Sequence, residues 1–178
     1  MKREGKIKAV GISTHSIAVT EEAAERDDID VVFPIINKAG RGIIDGSRDE
    51  MVRAIKKAYN AGKGIYFMKV LGGGTLINDY REAMEFARGI EDYASIAVGM
   101  VSREEVDFNV RYFDGEDLDS IPDTVKSSKK IVVVRSICVG CGTCSTACPN
   151  SAISVGDEGI AVVDESKCLT CGYCTPVC

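Results

Sequence analysis

All eight cysteines of this 178-residue chain lie in its last quarter, and they fall into two runs with one spacing. The first, CVGCGTCSTACP, holds Cys138, Cys141, Cys144 and Cys148, followed by Pro149. The second, CLTCGYCTPVC, holds Cys168, Cys171, Cys174 and Cys178. Both read C-x2-C-x2-C-x3-C, and each cysteine lies 30 residues from its counterpart, so the stretch is an internal repeat. Thiols this dense and this regular constrain the fold more than any apolar pattern in the chain, because they imply either crosslinks or coordination.

Three chemistries compete for such a pattern. A disulfide framework does not require a repeated spacing, and it belongs to secreted chains. The start MKREGKIKAV is charged and lacks the apolar stretch of a secretory leader. A structural zinc is held by four ligands built from paired C-x2-C units, which leaves the third cysteine of each run surplus. An iron–sulfur cube suits the spacing better. Three thiolates at intervals of three residues wrap a short loop around one side of a cluster. The fourth follows a wider gap, and in this pattern it ligates the other cluster. The spacing predicts two [4Fe–4S] clusters, one on Cys138, Cys141, Cys144 and Cys178, the other on Cys168, Cys171, Cys174 and Cys148. The intervening AISVGDEGIAVVDES predicts a β-hairpin around a glycine-containing turn. Residues 129–178 resemble bacterial two-cluster ferredoxins. That resemblance implies one-electron transfer.

The rest of the chain has a different character. Residues 1–113 carry a net charge of −1 and residues 114–178 a net charge of −4, which disfavours nucleic acid as a partner. No apolar run has the length of a membrane span, so a cytoplasmic location is expected. Lys6–Ile12, Ile29–Ile36, Gly64–Val70 and Ser95–Met100 read as strands. Helices are expected at EEAAER, from Ser47 to Gly62, at Tyr80–Arg88 and at SREEVDFNVRYF. Ser47 with Glu50, and Ser102 with Glu105, have capping-box spacing. Strands that are apolar throughout, each followed by an amphipathic helix, predict parallel strands covered by helices. The expected class is α/β plus a small α+β part: either half of a (β/α)8 barrel or a small open sheet, then a two-cluster domain. The boundaries read 1–113 for the α/β part, 114–128 for a linker and 129–178 for the cluster part.

The stretches GKIKAVGISTHS, GKGIYFMKVLGGGTL and SIAVGMVSREEVDFNVRYF resemble, in order and spacing, the second half of an aldo/keto reductase. The resemblance implies strands five to eight of a (β/α)8 barrel, with a nicotinamide cofactor at their C-terminal ends. It places Ser13 at the nicotinamide carboxamide, with Thr14 in place of the family's asparagine. Met68 stands roughly where a tyrosine stacks on the nicotinamide ring. Gly72 and Gly73, in the run Gly72–Gly74, approach the pyrophosphate, and Asn109 contacts adenine. Glu105 stands where many relatives have an arginine, which weakens the case for a 2′-phosphate. The family's catalytic residues come from strands one to four, so no catalytic residue is assigned here. His15, the only histidine, occupies a different position, and Lys69 is read as a rim lysine.

These readings combine into an iron–sulfur oxidoreductase, or a fragment of one, in which ferredoxin-type electron transfer is coupled to an aldo/keto-reductase-like barrel. Hydride chemistry moves two electrons together, so coupling it directly to the clusters calls for a mediator such as flavin; beside the two clusters, NAD(P) or flavin is the expected cofactor. The expected partners are a redox protein or a small-molecule substrate, and a further chain or segment to cover the open half barrel. The alternative is a non-catalytic electron carrier or a structural cluster-binding module. The sequence is expected to be a piece of a longer chain, with four more βα units upstream. No proline or strand follows Cys178, so the cluster that relies on it is expected to be the more labile.

Overall fold

A computed structural model describes residues 1–100, 102–116, 130–148, 150–168, 170 and 172–178. Residues 117–128 of the expected linker, Pro149 and the ligand candidate Cys171 lie outside the described residues. The chain divides into two compact units, Met1–Gly72 with Arg81–Ala97, and Gly73–Tyr80 with Val98–Cys178.

The first unit is α/β. Its elements run β1 (Gly11–Thr14), α1 (Ile17–Glu25), β2 (Val31–Pro34), α2 (Arg48–Asn60), β3 (Gly64–Phe67), α3 (Tyr80–Arg88) and β4 (Ser95–Ile96). The first residue of α3, Tyr80, groups with the second unit. The four strands form one sheet in the order β1-β2-β3-β4, and each neighbouring pair is parallel. Register places Ile12 beside Val32 and Val32 beside Ile65. Val32, Ile65 and Phe67 are buried, as are Ala23 and Ala24 of α1 and Met51, Ala54, Ile55 and Ala58 of α2. The i, i+3, i+4, i+7 spacing of the α2 set is what presents one apolar stripe to a core. One residue along the strands, on alternate positions, Phe33 and Tyr66 stack with ring centroids 3.9 Å apart. Both rings are only partly buried.

The strands are shorter than their apolar runs. The run Lys6–Ile12 becomes a strand only at Gly11, because the carboxylate of Asp30 accepts from the Val10 backbone N–H (2.8 Å) and takes that group out of the ladder. At the other edge, β4 is confined to Ser95–Ile96 instead of reaching Met100.

Both expected serine caps are present. Ser47 Oγ accepts from Glu50 N (3.3 Å) while the Glu50 carboxylate accepts from Ser47 N (2.7 Å). Ser102 Oγ accepts from Glu105 N at 3.2 Å. A third cap joins a local serine to a remote carboxylate. Ser16 Oγ accepts from Val19 N at the start of α1. Asp45, far along the chain, accepts from Ile17 N (2.7 Å), Ala18 N (3.1 Å) and Ser16 Oγ (2.6 Å). Partial desolvation opposes the charged form of Asp45, but these hydrogen bonds outweigh it and hold the carboxyl below its usual range.

The second unit contains α4 (Arg103–Phe113), α5 (Thr143–Thr146), β5 (Ile153–Val155) and β6 (Ala161–Val163). Tyr80 makes edge contacts to Phe108 and Tyr112 of α4, and its hydroxyl donates to Asn109 Oδ1 at 2.7 Å. β5 and β6 pair antiparallel, Ile153 opposite Val163 and Val155 opposite Ala161, which is the hairpin expected between the cysteine runs. The helical turn α5 has no apolar stripe in the sequence to announce it. Among the described residues no helix is long and apolar enough to cross a membrane.

Two outcomes are expected. Met51 is fully buried, so Met51→Ala should lower stability by about 2–5 kcal/mol in denaturant unfolding. Asp45→Asn should cost about 0.3–1 kcal/mol near neutral pH, because the negative charge at the start of α1 is lost. The Asp45 carboxyl is depressed by folding, so its contribution is complete above the unfolded pKa and is lost as pH falls through the folded one. The gap between wild type and Asp45→Asn should therefore close in acid, as read by thermal unfolding against pH.

Candidate metal centre

The 30-residue repeat of the sequence is carried into backbone hydrogen bonds. Ile137 N and Cys138 N both donate to Val134 O, and Lys167 N and Cys168 N both donate to Asp164 O. Gly142 and its counterpart Gly172 adopt left-handed φ values of 76° and 84°. Ser145 N donates to Gly142 O (2.9 Å), as Thr175 N does to Gly172 O (3.0 Å). Cys148 N donates to Ser145 O, as Cys178 N does to Thr175 O. At these positions the two runs turn the same way.

A cavity of about 380 Å³ lies within this unit. Cys138, Cys141 and Cys144 of the first run line it, together with Cys174 and Cys178 of the second. The remaining wall is mostly apolar and includes Ile131, Val133, Ile137 and Ile153. Among the described residues no three His, Cys, Asp or Glu side chains converge closely enough to hold a single metal ion. Five of the thiols line the wall of one space. Sulfur donors, apolar walls and backbone N–H groups aimed at sulfur form an environment that fits an iron–sulfur cube.

Those N–H groups come from elements that the sequence brings close. Ala161 N, at the start of β6, donates to Cys138 Sγ (3.4 Å). Ala152 N donates to Cys148 Sγ (3.3 Å) and Thr170 N to Cys168 Sγ (3.4 Å). Ser145 Oγ donates to Ile153 O (2.6 Å), pinning α5 against β5. Cys141 Sγ lies 3.4 Å from Thr143 Oγ1. The Thr143 hydroxyl first, and then its backbone N–H, hold the Cys141 thiol below its usual pKa, which favours the thiolate that binds iron.

Gly140 shows how tight this loop is. Its φ is 65°, and a Cβ there would meet Gly159 O at 2.0 Å. Its counterpart in the repeat is Thr170, also left-handed at φ 46°, whose hydroxyl donates to Gly73 O (2.5 Å). The donors Thr143 and Thr170 are not legible as site residues from cysteine spacing. Aligning the two runs, which puts Thr143 against Tyr173 and Gly140 against Thr170, is the signal that exposes them.

The expected nucleotide residues are distributed between the units. Ser13 lies exposed on β1 and Gly72 is buried with φ 57°, both in the first unit; Gly73 and Asn109 belong to the second. Asn109 is buried, with Nδ2 donating to Glu105 O (2.7 Å) and Oδ1 accepting from Tyr80. Glu105 is buried beside it on α4, and Met68 is half-buried after β3. Thr14 is buried and its hydroxyl accepts from Ser16 N (2.9 Å). Lys69 is left-handed at φ 60°. His15 Nδ1 lies 3.0 Å from Gly42 O and is therefore the protonated nitrogen of the neutral ring. Burial, with a smaller contribution from Lys69, pushes the imidazole below its usual pKa against the effect of the Gly42 carbonyl.

Comparison with known proteins agrees with the cysteine geometry. Residues 137–178 match the 4Fe-4S dicluster domain. The chain is 58% identical over 31 residues to a probable ferredoxin of Methanosarcina thermophila, covering 17% of this chain and 53% of that protein. It is 46% identical over 41 residues to one component of the Na(+)-translocating ferredoxin:NAD(+) oxidoreductase complex of Acetobacterium woodii, covering 23% of this chain and 12% of that one. Ferredoxin YfhL of Escherichia coli is 39% identical over 49 residues, covering 26% of this chain and 56% of that protein. The matched part of the chain thus spans from about an eighth to little more than half the length of these relatives. No solved structure is significantly similar to the chain. The C-terminal part is a ferredoxin-like 4Fe–4S dicluster domain with ferredoxins among its relatives.

Replacing Gly140 with alanine should destabilise this domain. A left-handed alanine costs about 1–2 kcal/mol before the contact with Gly159 O is counted. Gly140→Ala should lower the iron bound per chain after reconstitution, measured by metal analysis.

Proposed function

We propose that residues 129–178 pass electrons one at a time through two [4Fe–4S] clusters, in a chain whose α/β part is half of an aldo/keto-reductase-like barrel. Cys138, Cys141, Cys144 and Cys178 would hold the first cluster. Cys168, Cys171, Cys174 and Cys148 would hold the second. The observation that carries this reading is the presence of Cys178 in the wall of the cavity lined by Cys138, Cys141 and Cys144. Cys174 reaches the same wall, which supports two clusters set close enough for an electron to pass between them. The clusters would supply one-electron redox chemistry; the chain's own cysteines would bind them, and backbone N–H groups would be directed at the sulfurs.

The barrel reading is supported by the sheet order β1-β2-β3-β4. Crossovers between parallel strands are nearly always right-handed. A sheet that always grows in one direction then keeps its helices on one face, as in a barrel, whereas a doubly wound sheet reverses at a switch point. Among the described residues β1 and β4 each have one unpaired side; these edges and the partly exposed Phe33–Tyr66 face are what further βα units, from a longer chain or a partner, would cover. A barrel completed in this way would bind NAD(P) or flavin, with Ser13 and Gly72 as contributions from the first unit, and would exchange electrons with a small-molecule substrate or a redox protein.

A second reading, an electron carrier without catalysis, is favoured by one observation. The amide of Asn109 is committed to Tyr80 and to the Glu105 carbonyl. Binding of NAD(P)H or flavin by the purified chain, followed by calorimetry, would contradict the carrier reading.

The test of the shared claim is anaerobic reconstitution with iron and sulfide, followed by a redox titration read by EPR. About eight irons per chain and two interacting one-electron centres are expected. Fewer than about four irons, or a stoichiometric zinc, would contradict it.

A further inference from the structure

We infer that the Thr143 hydroxyl tunes the cluster on Cys138, Cys141, Cys144 and Cys178, raising its reduction potential; this rests on the two-cluster reading above. The two cysteine runs share several backbone turns, at Cys138 and Cys168, at Gly142 and Gly172, and at Cys148 and Cys178, so differences between them can be read against a common frame. One difference lies at the residue between the second and third cysteines. It is Thr143 in CGTC and Tyr173 in CGYC.

Thr143 Oγ1 lies 3.4 Å from Cys141 Sγ. Either atom could donate while the sulfur is a thiol, but a metal-bound thiolate has no proton, so the hydroxyl then becomes the donor. Tyr173 cannot repeat this contact. Its hydroxyl stands a full ring away from Cβ, and the side chain is 58% exposed. Thr143 thus places a side-chain hydroxyl beside a cysteine sulfur of the first run, where the second run has a phenol. Hydrogen bonds to cluster sulfurs are among the determinants of cluster potential. Reduction adds one negative charge, part of which resides on the sulfurs, so a donor at Cys141 stabilises the reduced form more than the oxidised form.

Redox titration of the reconstituted full chain, followed by EPR, tests this. In Thr143→Val, which keeps the shape and loses the hydroxyl, iron content should match wild type. One of the two potentials should fall by about a tenfold change in the reduction equilibrium, about 59 mV for one electron, and the other should stay in place. Thr143→Ser should restore the wild-type value. Tyr173→Thr, which offers the second run a matching hydroxyl, should raise the other potential. Unmoved potentials in Thr143→Val at full iron content would overturn the inference and leave the two-cluster reading standing. So would a Thr143→Ser protein that shifts as far as Thr143→Val. A wild-type chain that takes up no cluster would overturn both.

Discussion

Coordination of sulfur by metal is the interaction on which the C-terminal part depends, because little else there can hold it together. Between residues 130 and 178 the buried apolar side chains, among the described residues, are Ala152, Ile153 and Ala161. Val132, Val134, Ile137 and Val139 are all more than half exposed. A segment this small with so slight a core does not offset the conformational entropy of folding without crosslinks or metal. Two cubes bound by eight thiolates, with each cube drawing one ligand from the opposite run, would supply those crosslinks. The backbone hydrogen bonds then act mainly to shape loops around the sulfurs.

The first unit follows the opposite logic. Val32, Ile65, Phe67, Met51, Ile55 and Met84 are buried to near completeness, and the helix starts are capped by Ser16, Ser47 and the distant Asp45. Its stability comes from apolar burial, and it needs no cofactor to explain its packing. A single chain therefore joins a part organised by hydrophobic periodicity to a part organised by thiol spacing.

The two parts are legible in the sequence to different degrees for this reason. The cysteine spacing and the hairpin between the runs can be read directly, because coordination chemistry imposes fixed intervals. The α2 helix is legible from its stripe and from the Ser47–Glu50 box. Strand limits are not, because side chains remote in sequence set them: Asp30 takes the Val10 N–H, and no local pattern announces that. Asp45 at the start of α1 is hidden for the same reason. In the cluster part, Thr143 and Thr170 look like ordinary loop threonines until the runs are laid against each other. The nucleotide residues suggested by the aldo/keto-reductase resemblance rest on short glycine-rich and polar stretches, which many turns share.

The central claim is that each cluster takes three ligands from one run and its fourth from the other. The most direct measurement compares the cluster that survives when single ligands are removed. In Cys178→Ala, the remaining cluster should titrate at the same potential as the one remaining in Cys138→Ala, and at a different potential from the one remaining in Cys168→Ala. If Cys178→Ala instead leaves the same centre as Cys168→Ala, the ligands are not exchanged between the runs and the account is wrong.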